Sequence, residues 1–194
     1  MGETKKPFFE PSFNRSVKVA GGDDRLTSDA GVILLREADH RLGLVESLAK
    51  QLSDPRQAHL VRYQLPELLR ERIYSLALGY RAQDDVDRLA HDPALRMATW
   101  DRRGEKVLEE RLASQSTQSR LIDMLAHQKG NLEPVRGAAA DWVERHLRSS
   151  SDHAVRQGTI DIDSFPIEVH GNQKGAAYNG YYGTRIYHPA VASF

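Results

Sequence analysis

The chain has 194 residues, 40% of them hydrophobic, enough for one sizeable core or two small ones. Lys plus Arg and Asp plus Glu each total 27 and there is no Cys, which excludes a strongly basic body, disulfide scaffolds, thiol nucleophiles and Cys-based zinc sites. The opening MGETKKPFFE has no signal-peptide core, and no stretch approaches the roughly 18 apolar residues of a membrane span, so a soluble, cytoplasmic protein is expected.

Residues 1–12 are polar and interrupted by Pro7 and Pro11, and read as a flexible arm. From Phe13 to Leu26, the alternation of Val17 and Val19 ahead of Ala20-Gly21-Gly22-Asp23-Asp24 predicts a short hairpin or an extended lead-in. Helices follow. TSDAGVILLREADHRLG predicts a largely buried helix capped by Thr27 or Ser28, and LGLVESLAKQL a second. In LPELLRERIYSLALGY, Pro66 occupies the first turn, while Leu65, Leu68, Leu69, Ile73, Leu76, Ala77 and Tyr80 recur at helical spacing. Further helices are predicted over QDDVDRLAH and over PALRMATW, which Pro93 opens. EKVLEERLASQ and STQSRLIDMLAHQ read as a helix pair, and PVRGAAADWVERHLRSS as a last amphipathic helix before the polar linker SSSDHAVRQG.

At Gly158 the period changes from 3.6 to two. TIDIDSF puts Ile160 and Ile162 on one face of a strand and Asp161 and Asp163 on the other, and Pro166 limits it. Gly171 and Gly175 break the next run, after which YNGYYGTRIYHPAVASF predicts a turn and a second strand that runs to the last residue. Two carboxylates at i and i+2 repel unless a cation or solvent compensates. Oxygen ligands at this spacing suit Mg²⁺ or Mn²⁺, which can activate water or a 3′-hydroxyl for in-line attack on phosphate. An edge strand with a polar outer face is the commoner reason for an isolated Asp-x-Asp, and spacing does not decide between the two.

The string TIDIDSFPIEVHGNQKGAAYNGYYGTRIYHPAVASF resembles the opening of the catalytic domain of insertion-sequence family 1380 transposases. TSDAGVILLREADHRLGL, with LRERIYSLALGYRAQDDVDRLAHDPAL, is similar to their helical leader, so the likeness runs from about Phe13 to Phe194. It implies an α+β chain: a mainly helical leader over 13–150 for DNA binding and assembly, then over 151–194 the first strands of a truncated ribonuclease H-like α/β catalytic domain. It also implies DNA strand cleavage and transfer at the ends of a bacterial insertion sequence, by an Asp, Asp, Glu set that needs Mg²⁺ or Mn²⁺. DNA terminal repeats and target DNA are the implied partners, with a homo-oligomer in the full-length protein.

The first acid of that set falls on Asp163, because Asp163-Ser164 resembles the Asp-small-residue pair of related transposases; Asp161 is the alternative. Phe165 and Pro166 depart from the Thr that many relatives carry there. Glu168 is the only later acid, turned to the opposite face and about 16 Å along a straight strand, a poor partner for the same metal. Since family members carry the other two acids far downstream, the expectation is a catalytically incomplete amino-terminal portion, from a disrupted element or a partial sequence. It would be inactive alone, or serve as a non-catalytic DNA-binding or transposase-pairing fragment.

The resemblance also allows a helix-turn-helix in LASQSTQSRLIDML, whose second helix offers Gln118, Ser119 and Arg120 to a DNA groove; a plain helix hairpin is the commoner alternative. Arg supplies 20 of the 27 cations, and Arg70, Arg72, Arg81, Arg102 and Arg103 are candidates for phosphate contact. Against that, Glu37 with Arg41, Glu46 with Lys50 and Asp84 with Arg88 have the i, i+4 spacing of ordinary helix-surface pairs. His170 and His188 receive no role.

Overall fold

The computed structural model describes residues 7–20, 27–104, 106–149, 159 and 161–193. The chain divides into two compact units, Met1–Val143 and Glu144–Phe194. A helical amino-terminal region is followed by a small β region, the coarse order that the change of period at Gly158 predicts. Residues 1–6, 21–26, 105, 150–158, 160 and 194 lie outside the description, and with them fall most of the expected linker, the Gly21-Gly22-Asp23-Asp24 turn and Ile160.

Local chemistry sets the helix ends of the first unit. Helix α1 (Val32–Leu42) stops at Gly43, whose left-handed φ of 69° lets α2 (Leu44–Gln51) start in a new direction after a single residue. Helix α3 (Leu65–Ala77) starts with Pro66 in its first turn, and the Glu67 carboxylate accepts the Gln64 N–H at 2.8 Å. Helix α4 (Asp85–Leu89) is short. Before α5 (Pro93–Thr99), Asp92 caps by accepting the Leu95 N–H at 2.7 Å. Helices α6 (Lys106–Glu109), α7 (Gln115–His127) and α8 (Leu132–Ser149) complete the helical series.

Two apolar clusters stabilise this unit. One gathers Val32, Ile33, Tyr74, Leu95 and Trp100 with the chain around Val17; the other joins Val45, Leu48, Leu65, Leu68, Leu69 and Leu121. The first corrects the reading of the amino-terminal arm. Phe9, Phe13 and Val19 pack on it, Pro11 is fully buried, and Phe8 N–H and Val19 N–H bond to Val19 O at 2.7 Å and Phe9 O at 2.9 Å. Val19 therefore pairs backward with Phe9, and residues 7–12 are tied to the body through Phe9, Pro11 and Ser12.

Helix α1 is also not the largely buried helix, capped by Thr27 or Ser28, that was expected. Gly31 holds the N-cap position, and Thr27 instead donates to Asp92 Oδ2 at 2.6 Å. Leu34 and Leu35 are exposed, and the inward stripe after Ile33 continues through Arg36, Glu37 and Asp39. The Glu37 carboxylate accepts Ser12 N–H at 2.6 Å and Ser12 O–H at 2.7 Å. Burial alone would raise its pKa, but these bonds, with those from Arg41 and Phe13 N–H, outweigh it and hold the group at about 2.

In α3 the buried face is rotated from the expected one: Leu76 and Ala77 face solvent, while Arg70, Glu71, Tyr74 and Ser75 are buried. Of the expected helix pair, the second forms as α7, while the first shortens to the four-residue α6 and a non-helical connection, because Leu112 and Ala113 are drawn into the two clusters. Their N–H groups bond to Ala90 O at 3.2 Å and Glu71 Oε2 at 3.2 Å, and α7 packs on α3 and α4.

Burial drives the Glu71 carboxyl up to about 8, against the lowering effects of the Gln118 side chain and Ala113 N–H. The folded state therefore holds this proton more tightly than the unfolded chain does. Its contribution is fully present below the ordinary carboxyl pKa of 4.5 and is lost as pH rises through about 8. The folding equilibrium is expected to weaken across that window, with this group contributing up to roughly tenfold per pH unit. Glu71→Gln, which stays neutral, should flatten the dependence and be the more stable protein at about pH 8. Urea midpoints measured across the window check this; parallel curves for the two proteins would show that Glu71 stays ionised in the fold.

In the second unit, β1 (Asp161–Ser164) pairs antiparallel with β5 (Ala190–Ser193), and β4 (Thr184–Tyr187) lies between β2 (Ile167–Glu168) and β3 (Ala177–Asn179). Pro166, which has no N–H to give to a ladder, falls between β1 and β2. Val169, Ala176 and Ile186 are the unit's buried apolar residues among those described. Ile162 is 69% exposed, so the apolar face of β1 is as open as its acidic face.

Candidate functional site

The alternation along β1 puts Asp161 and Asp163 on one face, opposite Ser193 and Val191 in the register with β5. All four residues of β1 are exposed. Among the described residues neither aspartate makes an ion pair, and Asp163 Oδ1 accepts the Ser164 N–H at 2.7 Å. The strand thus presents hard oxygen donors with most of their lone pairs free, a donor set that fits a Mg²⁺-type ion. Glu168 lies in the other sheet, on β2. No group of three His, Cys, Asp or Glu that could hold a metal is found among the described residues.

The carboxyl end of β1 has a neighbour that the sequence did not reveal. His188 Nε2 lies 3.4 Å from Ser164 Oγ, because the β1–β5 pairing returns the chain beside its start. The Tyr182 ring meets the His188 ring edge-on at 6.4 Å, and Tyr181 meets Tyr182 edge-on at 4.9 Å.

In α7, Gln118 and Arg120 are separated. Gln118 is fully buried, with Nε2 donating to Leu68 O at 3.4 Å, so it is corrected from a groove-reading residue to a packing residue. Arg120 is exposed on the stripe formed with Ser116, Asp123 and His127. Its guanidinium folds back on its own helix, Nε bonding to Ser116 O at 3.1 Å. Ser119 lies between the two and accepts from Gln83 Nε2 at 3.3 Å.

The other arginines divide in the same way. Arg70, a candidate for phosphate contact, has a side chain only 1% exposed. Nη1 bonds to Asp101 Oδ2 at 2.7 Å, Nη2 to Glu46, and Nε lies 3.9 Å from Asp39 Oδ2. Arg36 joins this network through Asp101 at 2.9 Å, and Tyr74 O–H donates to Asp39 at 2.7 Å. A cavity of about 380 Å³ is lined by Arg36 and Arg70, which pair with Asp101 and Glu46, and also by Arg103 and Trp100. Arg102 pairs with Glu110 and lies over Trp100, while Arg81 and Arg103 are exposed. Of the expected i, i+4 pairs, Glu37–Arg41 forms at 2.7 Å, whereas Glu46 turns to Arg70 and Arg88 pairs with Asp85 at 3.5 Å.

A family model, the transposase DDE domain group 1, matches residues 9–193. The chain belongs to this family of DDE transposases. Comparison with curated proteins and with solved structures returned no match.

The family match covers the helical region and the strands together, so both are parts of the transposase sequence pattern. Within this transposase chain, the sequence singled out neither Tyr181 nor Tyr182 and left His188 without a role. The Asn-Gly turn before Tyr181 was the available local signal. It marks a hairpin but carries no information about which distant strand the hairpin will lie beside. Among the described residues, no helix is long and apolar enough to cross a membrane.

Proposed function

We propose that this chain belongs to a transposase of the insertion-sequence 1380 type. In this reading the helical leader, 13–150, binds element ends and supports assembly, and residues 151–194 open a ribonuclease H-like domain whose first catalytic acid is Asp163. The observation that carries the reading is the DDE-family match across an exposed strand whose two aspartates share one face and make no ion pair among the described residues. The antiparallel partner of that strand and the small side chain after Asp163 support the same assignment. Asp163, supported by Asp161, would hold a Mg²⁺ or Mn²⁺ ion, which supplies charge stabilisation at a transferring phosphoryl group. Element ends and target DNA are the proposed partners, and the full-length protein is proposed to act as a homo-oligomer.

The described residues supply two carboxylates on β1 and no third that joins them. The chain alone is therefore expected to bind DNA without cutting it, which is also the behaviour of a DNA-binding or transposase-pairing fragment. A nicking assay on element-end duplex with Mg²⁺ or Mn²⁺, run beside a binding assay, tests this. Metal-dependent nicking abolished by Asp163→Asn would show that this chain carries a working set of acids; absence of DNA binding would remove the leader's proposed role.

Arg120 is one of the exposed leader arginines that could meet DNA, on the solvent stripe of α7. Arg120→Ala should weaken element-end binding by about 1–3 kcal/mol and relax specificity if the guanidinium reads a base edge. A contact to phosphate would instead weaken all sequences alike and lower the salt dependence by about one counterion. Fluorescence anisotropy at several salt concentrations separates the two, and unchanged affinity throughout would leave α7 a structural helix.

A further inference from the structure

The turn between β3 and β4 displays two aromatic rings on a rigid backbone. Asn179 Oδ1 accepts the N–H of Tyr181 at 2.9 Å and of Tyr182 at 3.4 Å, while Gly183 N–H bonds to Asn179 O at 2.9 Å. Gly183 has φ 67°, which a side-chain-bearing residue adopts only with strain. This small network fixes the turn. It also holds Tyr181 at 89% and Tyr182 at 46% exposure, although burial of such rings would be favourable. Adjacent exposed aromatics on a pinned turn mark a contact surface.

Charge and position narrow the occupant. Between His170 and Ala190 the sequence has Lys174, Arg185 and four tyrosines, and no carboxylate. Arg185 stands opposite Tyr178 in the β3–β4 register, so a cation accompanies the aromatic surface. Aromatic rings interleaved with cations are the composition of surfaces that stack bases and attract phosphates. The row also leads to the acidic strand: Tyr181 contacts Tyr182, Tyr182 contacts His188, His188 lies 3.4 Å from Ser164, and Ser164 N–H bonds to Asp163.

We propose that the Tyr181 ring, supported edge-on by Tyr182, is a stacking platform for an unpaired DNA base beside the strand that carries Asp163. A base inside a duplex has both faces covered by its neighbours, whereas a base at an overhang or a frayed end offers a free face. Stacking accepts any base, so the platform reads strandedness rather than sequence. This role rests on the proposal that the chain acts on DNA. It adds that the substrate near Asp163 has at least one base out of the helix.

The test uses the full chain and two oligonucleotide probes, a blunt duplex and the same duplex with a single-stranded overhang carrying 2-aminopurine. The overhang probe should bind more tightly, with its fluorescence quenched on stacking. Tyr181→Ala should lower overhang affinity by roughly 5- to 150-fold, the range for loss of one stacked base, Tyr182→Ala by less, and both should leave blunt-duplex affinity unchanged. Tyr181→Phe and Tyr182→Phe keep the ring and should keep the preference. Alanine variants that retain the full overhang preference would overturn the platform while DNA binding stands, and failure to bind either probe would overturn both. Tyr181→Ala that abolishes self-association of the chain without changing overhang affinity would assign the surface to a protein contact and overturn the stacking role.

Discussion

Asp163→Asn is expected to abolish metal-dependent cleavage in an assay of the complete transposase, while binding to element ends stays nearly intact. Asparagine preserves the shape of the side chain but removes the charge that attracts a divalent ion. Loss of several kcal/mol of charge stabilisation corresponds to about a thousandfold or more in rate. End binding is spared because Asp163 lies on exposed β1 and carries no packing role. Asp161 shares the face but lies two residues, about 6.6 Å, nearer the start of the strand. Asp161→Asn should therefore cost on the order of 10–100-fold, as for groups that orient a metal ligand. Cleavage rates for the two variants at saturating Mg²⁺, beside end-binding affinities, check the order. A fully inactive Asp161→Asn with an active Asp163→Asn would reverse the two roles, and two active variants would remove the metal site from this strand.

Arg70→Met is expected to cost about 3 kcal/mol of folding stability. Methionine fills much of the buried space but leaves Glu46 without its cation and Asp39 and Asp101 with Arg36 alone. Desolvation opposes charge on Arg70, yet Asp101 and Glu46 outweigh it and hold its pKa above the ordinary arginine value. The side chains of Asp101 and Glu46 are about half exposed, at 56% and 48%, so solvent screens their share and the expected loss sits at the lower end for a broken buried pair. Arg70→Lys should recover only part of it, because an ammonium cannot reach Asp101 and Glu46 with separate, fixed nitrogens. Urea unfolding at neutral pH measures both variants. A loss of less than about 1 kcal/mol for Arg70→Met would show that the network behaves as a surface ion pair.

Local signals carried the secondary structure furthest. Pro66 and the apolar spacing after it marked α3, Pro93 marked α5, and the change to period two after Gly158, stopped by Pro166, marked β1 and placed Asp161 and Asp163 on one face. These features depend on backbone restriction and alternation within a few residues, so a linear sequence expresses them directly. The order of a helical region followed by strands, and membership of the transposase family, were legible for the same reason: they are properties of residues in sequence.

Tertiary packing decided which side of each element faces inward. The pattern of α3 allowed Leu76 and Ala77 to be buried, but packing against α2, α5 and α7 instead buries Arg70, Glu71 and Tyr74, and the same choice in α7 takes Gln118 inside while leaving Arg120 in solvent. Val19 turned back to Phe9 because Phe9 and Phe13 could reach the first apolar cluster, a gain that no window of a few residues contains. The approach of His188 to Ser164 likewise depends on the β1–β5 register, across 24 residues. Sequence determined the local conformations and the chemistry available on each element. Burial of apolar area and the pairing of charges summed over distant elements decided which groups meet, because those energies belong to contacts that exist only once the chain is folded.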